Sequence, residues 1–216
     1  MKFKKEVYLI GGGPSLKGID LNLLKDKTTI VTNKAIFDVP NPDMFITVDN
    51  SFFLKIKEKM KKFTSINAWK VFVVDLSYDY IRDEDGAFYD TRAKHHNPYK
   101  TSHVDTIIKA HKKEGIGFTW NDFRTGVNSG FCALQLAVLL GYEKIHLLGY
   151  DLCTTTRTHY HDGYPECKVD PFNILLTKYQ EYFSKALPEI LLRGIKVVSH
   201  SPISFLNEIL LYEELK

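Results

Sequence analysis

Cysteine is scarce in this 216-residue chain. Cys132, Cys153 and Cys167 are an odd number with no Cys-x-x-Cys spacing. That excludes a disulfide framework and suits a reducing compartment. Long apolar runs are missing as well. The most apolar stretch, Phe131 to Leu140, falls far short of the ~20 residues that cross a bilayer. The N-terminus is basic but reaches its glycines after the four apolar residues Val7 to Ile10, so it lacks the apolar centre of a secretory signal. Nor is there an excess of one charge: Lys+Arg 29 against Asp+Glu 26 leaves +3, too little for a protein that works on nucleic acid. The basic run Lys55 to Lys62 reads as the wet face of a helix. These absences describe a soluble, cytoplasmic protein with no integral membrane segment and no nucleic-acid partner.

What is present is ordinary globular composition, 44% hydrophobic and 25% charged, and a length that suits one domain over residues 1–216. Apolar runs alternate with helical periodicity. Strands are expected at Glu6 to Ile10, Thr28 to Thr32, Met44 to Val48, Lys70 to Val74, Lys144 to Leu148 and Lys196 to Ser199. Helices are expected from Leu16 to about Lys25, Phe52 to Lys62, Val104 to Lys113, Asn128 to Leu140, Pro171 to Leu192 and Ile203 to Glu214. Residues 77–103 and 152–169 keep no period and read as lid or active-site loops. The pattern predicts an α/β fold: a single Rossmann-like, mostly parallel sheet with helices on both faces and a loop or lid insertion. Ligands of such sheets bind beyond the carboxyl ends of the strands.

Several unusual residues fall at those ends. Gly11, Gly12, Gly13, Pro14 and Ser15 follow the first strand, where bare backbone and helix N–H groups favour an anion. This is neither the dinucleotide fingerprint nor a Walker A loop, since Leu16 stands where a glycine would and no Gly-Lys-Ser/Thr follows. Asn33 closes the second strand, where a NAD site prefers an acid. Asp49 and Asn50 follow the third, and Asp151 follows Lys144 to Leu148. Asn128, Ser129 and Gly130 open the most apolar helix, with Ser129 either capping it or facing a nucleotide. His159, Tyr160, His161 and Tyr164 share one irregular loop. A histidine there can act as general base and the tyrosines can bond a leaving phosphate. With Cys153 or Cys167 the two histidines match no standard zinc spacing, so no metal is expected.

These residues resemble the bacterial sialyltransferases of glycosyltransferase family 42. The similarity lies in Tyr8 to Asp20, Thr32-Asn33, Asp49 to Phe53, Asn128 to Cys132 with Leu140 to Tyr142, and Leu148 to Asp151, in that order. Related domains occur in archaeal-type 6-hydroxymethylpterin pyrophosphokinases and in flagellin-modification factors. The resemblance implies metal-independent, inverting transfer of a sugar from a CMP-linked donor to the hydroxyl of a glycan or other acceptor, with no cofactor beyond the nucleotide-sugar substrate. It assigns nucleotide contacts to Asn33 and Asn50, and the general base to His161, with His159 in reserve. A homo-oligomer is compatible with it. The sequence departs from the family at Gly12, where the family has asparagine, at Gly126, where it has arginine, and at Cys153, where it has tyrosine. Two alternatives stand beside it. One is a Mg-dependent pyrophosphokinase drawing on Asp49, Asp83, Asp85 and Asp151; the other is a nucleotide-binding module without turnover.

Overall fold

The computed structural model describes residues 5–49, 51–76, 80–82, 88–90, 103–154, 156–161 and 169–216. Short runs of β-branched and aromatic residues form β1 (Glu6–Ile10), β2 (Thr29–Thr32), β3 (Met44–Thr47) and β4 (Trp69–Asp75). A separate antiparallel hairpin pairs β5 (Tyr80–Arg82) with β6 (Phe88–Asp90). Then come β7 (Thr106–Ala110), β8 (Lys144–Leu148), β9 (Lys196–Ser199) and β10 (Leu211–Tyr212). All but the hairpin join one parallel sheet in the order β10-β9-β8-β1-β2-β3-β4-β7. From β1 the chain winds outward to β2, β3, β4 and β7, and later returns to β1's other edge with β8. The strand order therefore reverses between β1 and β8, and a crevice opens beyond their carboxyl ends.

Period-two alternation sorts the sheet into two cores. Val7 and Leu9 of β1 face one side, with Ile30, Ile46 and Val71. Tyr8 and Ile10 face the other, with Val31, Phe45 and Phe72. Helix α3 (Ser129–Leu139) and the inner stripe of α4 (Val169–Leu192) cover the first side. Every residue of α3 from Ser129 to Val138 is buried, which explains why it is apolar on all faces. The second side is covered by α1 (Phe52–Lys55), α2 (Met60–Ser65) and 3-10 turns. Phe45, Phe52 and Phe63 meet there with ring centroids 5.2–5.9 Å apart. Fully burying each ring contributes about 1.5–3 kcal/mol.

Four expected helices differ. Residues 16–25 form two 3-10 turns, Pro14–Leu16 and Leu21–Leu24, because Gly18 has φ +92° and Asp20 caps a new turn through Asn22 N–H. The basic helix is split by the 3-10 turn Lys57–Lys59. Val104 to Lys113 is β7: Ile108 and Ala110 enter the first core while Ile107 packs against the second. Its three β-branched residues fit the vacant edge of β4, and so short a run satisfies either period. Ile203 to Glu214 is the 3-10 turn Phe205–Glu208, capped by Ser204, followed by β10 beside β9. In α4, Leu176 is buried while its neighbour Leu175 is exposed. Among the described residues no helix is long and apolar enough to cross a membrane.

Candidate functional site

The crevice at the strand reversal is a cavity of about 390 Å³. The loops after β1, β2, β3 and β8, the start of α3 and one face of α4 all line it. It gathers Gly11, Gly12, Gly13, Pro14, Asn33, Asp49, Asn128, Ser129, Gly130, Asp151, His159, Tyr160 and His161. Asn50, Tyr164, Asp83 and Asp85 lie outside the described residues, as does most of 77–102.

The triglycine turn is shaped by contact with the loop after β8. A Cβ on Gly11 would sit 2.5 Å from the Gly149 carbonyl oxygen, and one on Gly13 2.6 Å from Asp151 Oδ2. Only glycine fits at either position. The turn differs from the expected anion cradle. Gly11 N–H donates to Leu148 O and Gly13 N–H to Gly149 O, both at 2.8 Å. Ser15 N–H donates to Asp151 Oδ2 at 2.8 Å and its hydroxyl donates to Oδ1. The buried Asp151 carboxylate thus supplies the turn's negative charge from within the protein. A Cβ on Gly12 would stand 3.3 Å from the His159 ring; at this position the two loops meet.

Opposite, three polar side chains are wired together. Thr47 Oγ1 donates to Asn33 Oδ1 at 2.7 Å and Ser129 Oγ to the same oxygen at 3.4 Å. Ser129 Oγ also accepts from Val48 N–H at 3.1 Å. With its carbonyl so occupied, Asn33 offers the cavity the two N–H bonds of its amide. The cap of α3 is Asn128, not Ser129: Phe131 N–H donates to Asn128 Oδ1 at 3.0 Å. The amides of Ser129 and Gly130 begin the helix and have no intrahelical carbonyl to bond. Asp49 accepts from the Ser51 N–H and hydroxyl at 2.8 and 2.7 Å, which turns the chain into α1.

The histidine loop forms the remaining wall. His159 and His161 lie with ring centroids 5.4 Å apart, nearly parallel at 20°. Phe172 of α4 backs His159 at 5.1 Å, and Thr158 Oγ1 lies 3.0 Å from His159 Nδ1. Tyr160 N–H donates to Gly12 O at 3.2 Å, while its hydroxyl donates to Asp38. That hydroxyl is therefore directed to the turn after β2. Cys153 lines the cavity and donates its thiol to Ile203 O; burial and the Asp151 carboxylate push that thiol up. Gly126 has φ +50°, and a Cβ there would lie 2.3 Å from Phe131, so no arginine could occupy it. Nearby Arg124 is held by Asp122 and the Glu114 carbonyl.

Two features of the site escaped the sequence. Phe172, Leu176 and Tyr179 of α4 form its apolar wall; their i, i+4, i+7 spacing was the available signal. Asn33, Val127 and Leu152 have φ of +49°, +49° and +51°, and all three line the cavity. For a β-branched residue such as Val127 this conformation is an outlier that costs about 1–3 kcal/mol, and such strain concentrates at functional sites. Nothing in the local sequence announces it.

Compared by sequence, the chain matches no family model and no curated protein. Solved structures do match. The sialyltransferase CST-II in complex with trisaccharide acceptor and CMP is 14% identical with a TM-score of 0.52, over 97% of this chain and 86% of that one. CstII from Campylobacter jejuni with the substrate analogue CMP-3FNeuAc gives 16% and 0.53, over 97% and 86%. The monofunctional alpha-2,3-sialyltransferase Cst-I from Campylobacter jejuni gives 14% and 0.53, over 97% and 80%. The chain therefore shares the α/β fold of these sialyltransferases along nearly its whole length.

Proposed function

We propose that the protein is a glycosyltransferase that uses a CMP-linked sugar, with the cavity at the strand reversal as its donor site. One observation carries this reading: on a sialyltransferase-like fold, a hydrogen-bonding wall (Asn33, Ser129) faces a histidine wall (His159, His161) across a single cavity. The Asn33 amide would donate to the base or ribose. The phosphate would meet the Ser129 and Gly130 amides at the positive end of α3. Because Asp151 already fills the turn after β1, that turn serves as floor rather than phosphate berth. His161 would take the acceptor proton, with His159 supporting it. Tyr160 is assigned a positioning role, since its hydroxyl is engaged by Asp38.

Support for the pyrophosphokinase alternative is thinner. Of the four acids its metal would draw on, Asp83 and Asp85 lie outside the described residues, while Asp49 is already bonded to Ser51 and Asp151 to Ser15. A thermal-shift panel of CMP, CDP, UDP, GDP, ATP and a CMP-sugar tests the proposal, because stabilisation grows with the logarithm of ligand over Kd. CMP and the CMP-sugar should give the largest shifts, and EDTA should leave transfer intact. ATP giving the largest shift, or EDTA stopping turnover, would overturn it.

A further inference from the structure

The donor cavity has a neighbour. A second cavity of about 600 Å³ opens beside it, and Lys34 and His161 line both. Phe37 and Asp38, from the turn after β2, form one side, and the segment from Lys55 to Lys59 forms the other. Among the described residues four lysines border this space, Lys34, Lys55, Lys57 and Lys59, against two acids, Asp38 and Glu58, and Lys55 Nζ is paired with Asp49 at 3.5 Å. The Tyr160 hydroxyl already occupies Asp38, and Lys59 Nζ is steadied 5.4 Å above the Phe37 ring. A hollow with that balance concentrates positive potential and attracts anions.

We propose that this second cavity seats the acceptor and selects one carrying an anionic group, a carboxylate or a phosphate, held by Lys57 and Lys59 while its hydroxyl reaches His161. The acceptor role rests on the donor reading above. In the step, the acceptor oxygen forms a bond to the anomeric carbon as the bond from that carbon to the nucleotide phosphate oxygen breaks. The bonding pair leaves on the phosphate, and the acceptor proton passes to His161. The histidine borders both spaces, where the two substrates would meet.

Titrating isotope-labelled protein by NMR with glucose, glucuronate and glucose 6-phosphate, each with and without CMP, tests this. One or both charged sugars should bind about tenfold more tightly than glucose, as two partly exposed ion pairs would give. The resonances of residues 55–59 and 161 should shift. Preference for glucuronate identifies carboxylate as the recognised group, and preference for glucose 6-phosphate identifies phosphate. In the Lys57→Glu/Lys59→Glu variant the preference should vanish, with CMP shifts reporting an intact fold. Equal affinity for all three sugars, no binding of any, or a preference that survives the charge reversal would overturn the anion site. If CMP fails to bind while the preference persists, the donor reading and the acceptor role fall, but the anion site stands.

Discussion

Among the described residues two histidine pairs stand out, and they could hardly be housed more differently. His159 and His161 sit on an irregular loop, half-buried and lining a cavity. His146 of β8 and His200, just past β9, are buried within the sheet. His146 is stacked on Tyr8 of β1 at 4.1 Å, and its Nδ1 lies 2.7 Å from His200 Nε2. The hydrogen-bond partners assign the tautomers of the buried pair. His200 Nδ1 must donate to the Glu213 carbonyl at 2.7 Å, so its Nε2 accepts from His146 Nδ1–H. His146 Nε2 is then a bare lone pair, 3.5 Å from the Glu6 carboxylate. Burial chiefly, then Lys144 and His200, push His146 down to about 4 against the opposing pull of Glu6; burial lowers His200 too. Burial thus favours the neutral form of both interior rings, which pack within the sheet. The proton exchange proposed above falls to the pair that lines the cavity.

The sharpest break of this contrast is to delete one member of the open pair. His161→Ala should reduce transfer about 10²- to 10⁴-fold, the usual worth of a general base, while its melting temperature and CMP affinity stay near wild type. Full turnover would remove the base assignment. A second contrast is in pH. For His146 the unfolded chain binds more protons between its ordinary value near 6.5 and about 4, so stability should fall as pH drops through that window. The loss should be on the order of 2–3 kcal/mol. Urea titrations at pH 7 and pH 4.5 measure it, and His146→Phe, which keeps the stack on Tyr8, should flatten the slope. An unchanged slope would mean that His146 is not the source. Third, Gly13→Ala drives a methyl into Asp151 and the Gly149 carbonyl, and should cost about 1–3 kcal/mol by denaturant midpoint. The smallest effect is a gain: Val127→Gly relieves a left-handed valine and should add about 1 kcal/mol. If stability is unaltered, the rim is not strained there.

The same division of rim from interior governs what could be read in the chain. Strands β1, β2, β3, β4, β8 and β9 were legible because a strand buried on both faces must be a continuous apolar run between turn residues. Gly13, Asn33, Asp49 and Asp151 could be placed together because all follow strands of one parallel sheet. The partners they choose were not legible. That Asp151 bonds Ser15, 136 residues away, and that Ser129 bonds Val48 and Asn33, depends on side-chain reach across loops. Expected helices failed where length or period was ambiguous: β7 is five residues long, and the segment after β1 carries its own breaker in Gly18. The histidine loop was recognisable as a cluster, but the destination of the Tyr160 hydroxyl, a turn 122 residues earlier, was not.

The carboxylate of Asp151 has one more consequence. By filling the berth after β1 with an acid of its own, the protein makes that spot repel stray oxyanions. Sulfate, carbonate or a spent phosphate drifting in from bulk solvent meets a seat already taken. On the donor reading proposed above, a ligand would instead take its hold from the Asn33 amide and the head of α3, so loose inorganic ions should be poor competitors at the turn after β1.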